Sequence, residues 1–162
     1  MTRARRILAC AAAVLAATFA LAGCTSTVSL APADDANNPH CADVMVRLPD
    51  AVSTADRVWT DAQATASWGG PPSSVILACG VAVPGPTVLP CVAFQGVDWI
   101  VADGKNHVAT VTTFGRKPAI QVMVDTSKVD FNAVLNSISI AVNGGRLPTT
   151  GDQCTAPATP SK

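Results

Sequence analysis

The sequence predicts one small α+β domain: an antiparallel sheet of about four strands, with an N-terminal and a C-terminal helix packed on one face, stapled by disulfides. Three observations predict it. A helical stripe follows Asn38-Pro39, apolar segments punctuated by Pro and Gly fill residues 74–125, and a second helical stripe runs from Phe131 to Val142.

Residues 1–23 read as a signal peptide. Arg3, Arg5 and Arg6 form a positive n-region, Ile7 to Ala20 is apolar, and Leu21-Ala22-Gly23-Cys24 has the form of a lipobox. The apolar run is shorter than the roughly 20 residues of a membrane span. In this reading small Ala22 and Gly23 give a peptidase access to the backbone, and Cys24 takes a diacylglycerol as a thioether. No cofactor or metal is expected beyond that covalent lipid. Removing 23 of the 162 residues leaves 139, enough for one modest core. The mature chain then holds eight Lys and Arg against eleven Asp, three net negative charges, which argues against nucleic acid as a partner. Residues 24–38 form the lipidated cysteine and a polar stretch without apolar periodicity, read as a flexible tether reaching about 45 Å when extended. The domain is placed at 39–154, and 155–162, with Pro157 and Pro160, is read as a disordered tail.

Within the domain, Asn38 is a helix N-cap and Pro39 fits the first helical position; Cys41, Val44, Met45 and Leu48 then share a face until Pro49. Arg57–Thr60 and Ala64–Trp68 are short strand candidates. Trp68-Gly69-Gly70-Pro71-Pro72 is a rigid corner. Ser74–Val81 is nearly all apolar, as a central strand would be. After Pro84-Gly85-Pro86, Cys91–Ala102 reads as one strand whose parity switches between Phe94 and Val97, which predicts a bulge at Gln95-Gly96. Asp103-Gly104-Lys105-Asn106 is a hairpin turn, His107–Phe114 the return strand, and Ile120, Val122 and Val124 alternate in a last strand. Ser127 with Asp130 resembles a capping box for a helix whose stripe is Phe131, Val134, Leu135, Ile138 and Val142, ended by Gly144-Gly145.

Cysteine usage constrains the domain further. With Cys10 in the signal and Cys24 acylated, Cys41, Cys79, Cys91 and Cys154 remain, and two disulfides are the default outside the cytoplasm. Three pairings exist. Cys41 with Cys79 and Cys91 with Cys154 is favoured, because the helix face bearing Cys41 can cover the apolar strand bearing Cys79. Zinc is disfavoured: no Cys-x-x-Cys pair occurs, and His40 adjoins Cys41.

Catalytic patterns are equally sparse. His40 and His107 are the two histidines, no Gly-x-Ser-x-Gly elbow occurs, and the aspartates fall mostly at turns and caps. Three of the seven aromatics are Trp, and core filling accounts for Trp99, between Val97 and Val101. Trp68, in its Gly/Pro corner, is the candidate ligand or interaction edge, together with Gly69, Gly70, Pro71 and Pro72.

Trp68-Gly69-Gly70-Pro71-Pro72, then Leu77-Ala78-Cys79-Gly80-Val81, Gly96-Val97-Asp98-Trp99 and Thr113-Phe114-Gly115-Arg116-Lys117-Pro118 resemble the actinobacterial family catalogued as domain of unknown function 3515, small secreted or lipidated proteins. The resemblance spans about Cys41 to Val142. It implies that Cys41 and Cys79 match the family's cysteines and that Cys91 and Cys154 are additions; it implies no activity. The expectation is therefore a lipoprotein on the outer face of the cell membrane, acting as a non-catalytic module. Its partners would be the membrane through the anchor and an envelope protein or cell-wall ligand. A solute or wall-fragment binder edged by Trp68 is the alternative, and an envelope enzyme the third reading.

Overall fold

The computed structural model describes residues 27–154. Eight antiparallel strands form one sheet: β1 (Ala51–Val52), β2 (Ala55–Val58), β3 (Thr65–Trp68), β4 (Val75–Val81), β5 (Cys91–Phe94), β6 (Val97–Asp103), β7 (Val108–Phe114) and β8 (Ala119–Asp125). Their order is β1-β2-β3-β4-β8-β7-β6-β5, so the last strand in the chain lies in the middle. Helices α1 (Pro39–Met45) and α2 (Phe131–Gly144) cover one face.

The four-strand expectation is wrong by a factor of two, for identifiable reasons. The short candidates near 57 and 65 are real strands, and Ala51–Val52 adds a two-residue strand through the tight turn at Ser53-Thr54. The expected bulge at Gln95-Gly96 is a hairpin turn. Gln95 (φ 48°) and Gly96 (φ 74°) are both left-handed, the signature of a type I′ connection, and Phe94 pairs with Val97 across it. The parity switch therefore marks a reversal of the chain, and one expected strand becomes β5 and β6.

Period-two alternation builds the inner face. Val75, Leu77 and Cys79 of β4 lie opposite Val124, Val122 and Ile120 of β8, and Val111 of β7 continues the row to Val101 of β6. Onto this surface α1 lays Cys41 and Val44, and α2 lays Val134, Leu135, Ile138 and Val142. Each strongly apolar β4 residue buried here contributes on the order of 2 kcal/mol. Two specific links, one covalent and one polar, fix the layers. The Cys41–Cys79 bridge ties α1 to β4, and the buried Trp99 Nε1 donates to Ser139 Oγ of α2 at 2.9 Å.

The helix termini depart in detail from expectation. Asn38 does cap α1, accepting from the His40 amide at 3.1 Å, but regular helix stops at Met45. At α2 the cap is Asp130, which accepts from the Ala133 amide; Ser127 bonds back to Asp125 in the preceding turn, so the capping box is absent.

The segment read as a tether also differs. From Val28 onward it lies along the domain: Val28 bridges Thr60 in parallel, the Asp35 amide donates to the Gly80 carbonyl, and Ala36 is buried. Gly80 makes that approach feasible, since its φ is +94° and a Cβ there would sit 2.3 Å from the Asp35 carbonyl carbon. Polar composition without periodicity marks a segment that lacks its own core face, and backbone pairing to an edge needs none.

Candidate functional site

Trp68 is not an edge. Its side chain is 0% exposed, packed on the inner face, with Nε1 donating to the Pro49 carbonyl at 3.0 Å and the Arg57 guanidinium 5.9 Å above the ring. The β3–β4 register places it opposite Val75, within the core row. Gly70, Pro71 and Pro72 are exposed and Gly69 partly so, but they flank a buried ring and form no aromatic platform.

The exposed ring is Trp59, at 73%. It follows β2 near one edge of the sheet and opens onto a cleft of about 650 Å³ lined by Asp50, Asp56, Arg57, Val58, Thr60 and Thr65. The N-terminal segment holds this corner. Val28 donates its amide to the Trp59 carbonyl at 2.8 Å, the Asp61 amide returns to the Val28 carbonyl at 3.3 Å, and Leu30 donates to Asp61 Oδ1 at 2.9 Å. That last bond, then the Ser29 side chain, holds the Asp61 carboxyl below the usual aspartate range. On the domain side Thr60 Oγ1 donates to the Thr65 carbonyl at 3.1 Å.

A second groove, about 630 Å³, lies at the opposite edge beside β5. Val88 is fully exposed and Leu89 is 46% exposed above a floor that includes Ile100, Phe114 and the Cys91–Cys154 bridge. Asp98 Oδ2 accepts from the Cys154 amide at 2.8 Å and fixes the chain beyond the bridge. Six strand spacings separate β2 from β5, about 29 Å. The sequence held a signal for this groove: Val88-Leu89 sits between Pro86 and Pro90, two residues with no amide to donate to a ladder, so the segment is poorly suited to a strand and leaves two apolar side chains without a sheet face.

The other candidates stay apart. His40 Nδ1 approaches Asp43 Oδ2 at 3.9 Å on the surface of α1, whereas His107 is exposed in the β6–β7 turn. Among the described residues no group of three His, Cys, Asp or Glu is placed to share a metal, and no helix is long and apolar enough to cross a membrane. Both bridges, Cys41–Cys79 and Cys91–Cys154, follow the favoured pairing. Leu21, Ala22, Gly23 and Cys24, read above as a lipobox, the residues before them read as a signal, and residues 155–162 read as a tail lie outside the described residues.

Fold and surfaces together define a disulfide-bridged α+β domain, one sheet backed by two helices, with an open apolar feature at each end of the sheet. The chain belongs to the family described as "Protein of unknown function (DUF3515)", matched over residues 6–149. No curated protein and no solved structure matches it.

Proposed function

We propose that the protein is a lipid-anchored lipoprotein of the cell envelope, and that its domain is a non-catalytic interaction module meeting a partner at the β5 edge. The observation that carries the interaction reading is the Val88-Leu89 pair, two apolar side chains held in solvent over a groove. The lipobox ending at Cys24 supports the anchor, and two disulfides suit an oxidising compartment outside the cytoplasm. Burial of Trp68 takes away the ring on which the wall-fragment alternative rested.

The test places a photo-crosslinking amino acid at Val88 in intact cells, followed by isolation from solubilised membranes and mass spectrometry. The expected result is one reproducible envelope protein, lost when Leu89→Asp is added to the labelled chain. Recovery of the bare protein would overturn the interaction reading. Cys24→Ser should release the protein from the membrane fraction; a membrane-bound mature form with no thioether lipid defeats the anchor.

A further inference from the structure

Two observations about Trp59 belong together: its ring is 73% exposed, and its carbonyl receives the Val28 amide at 2.8 Å. Val28 is only four residues after Cys24, so the chain between them spans at most about 14 Å. A tether of fourteen free residues would leave the orientation of the domain open. The docked segment removes that freedom, because the end of β2, near one edge of the sheet, is pinned directly behind the cysteine.

Resting on the lipid-anchor reading above, we infer that Trp59 is a bilayer contact: its indole inserts into the headgroup region and sets the domain with the β1–β2 end of the sheet toward the membrane. The interfacial and headgroup zone adds roughly 5–8 Å to each side of the hydrocarbon core, within reach of a ring so close to an acylated residue. Trp suits that zone because its body is apolar and its N–H can remain hydrated. Asp50 and Asp56 line the cleft beside it against one cation, Arg57, and Asp61 follows two residues on, so the ring and not charge attraction seats the edge. The acyl chains supply the affinity and the ring supplies orientation. With the β1–β2 end down, the Val88-Leu89 groove, about 29 Å from β2 across the sheet, faces outward.

Intrinsic fluorescence reads this selectively, since Trp68 and Trp99 are 0% exposed. The full chain, processed in its host and purified in detergent, is first analysed by mass spectrometry for lipid on Cys24, then reconstituted into phosphatidylcholine vesicles with brominated acyl chains. The expected result is a component quenched by bromine and shielded from aqueous acrylamide, absent in Trp59→Phe. Lipid on Cys24 with Trp59 emission untouched by bromine and open to acrylamide overturns the inference and leaves the anchor standing. No lipid on Cys24 overturns both.

Discussion

Replacing Cys41 and Cys79 together by Ala removes the one covalent link between α1 and the centre of the sheet. The bridge spans a sequence separation of 38, and a loop of that length, freed in the unfolded chain, costs about 4 kcal/mol on the chain-entropy model. Both side chains are 0% exposed, so each deleted sulfur also leaves a void worth about 1 kcal/mol. The sum, about 6 kcal/mol, is comparable to the whole stability of many domains, about 5–15 kcal/mol. At about 4 °C per kcal/mol for a domain of this size, the melting temperature should fall by over 20 °C. Urea denaturation at 25 °C is the assay. Because an unbridged unfolded chain exposes more surface, the slope m should rise as the midpoint falls. A loss below about 2 kcal/mol with an unchanged m would refute the assignment of stability to this loop.

Opening the other bridge with Cys91→Ser and Cys154→Ser frees a longer separation of 63, for a comparable loss of about 4 kcal/mol by the same denaturation assay. Ser139→Ala strands the buried Trp99 Nε1 and should cost about 1–3 kcal/mol; a loss near zero would mean the indole finds another acceptor. Gly80→Ala should detach residues 33–37 from β4, read as faster amide exchange at Asp35 with β8 still protected. The Asp61 carboxylate is held below its ordinary range first by the Leu30 amide and then by Ser29. A depressed carboxylate stabilises above its unfolded value and loses that contribution as pH falls through the folded one. Docking of residues 28–30 should therefore persist at neutral pH and weaken only below about pH 4, with Leu30 amide exchange as the readout; weakening already near neutrality contradicts the assignment.

Local chemistry was legible where it was self-contained. The Asn38-Pro39 start of α1 and the stripe of α2 can be read from spacing, because each helix closes its own hydrogen bonds and needs from the rest of the protein only an apolar surface. Strand β4, almost wholly apolar, announces burial by its short unbroken apolar run between turn signals. The Gln95-Gly96 reversal was half legible: the parity switch was there, but a bulge and a type I′ turn both produce it, and the choice depends on whether the flanking segments pair with each other. For the tryptophans, local context pointed to the wrong ring. A Gly/Pro corner marks Trp68 as near a turn, yet pairing opposite Val75 draws it into the core, while Trp59 lies just past β2, beyond the face that the helices cover.

By itself the sequence determined the class of domain, its two helices, the buried character of its central strands, the cysteine pairing it favours, and the family to which the chain belongs. Only the tertiary structure decided that β8 inserts between β4 and β7, that residues 28–36 lie along the domain, and that Trp59 and Val88-Leu89 occupy opposite edges. The reason is physical. Helical and turn preferences act over a few residues, whereas strand order and exposure are set by pairings between segments distant in the chain, whose energy appears only when both partners and the helices that cover them are in place.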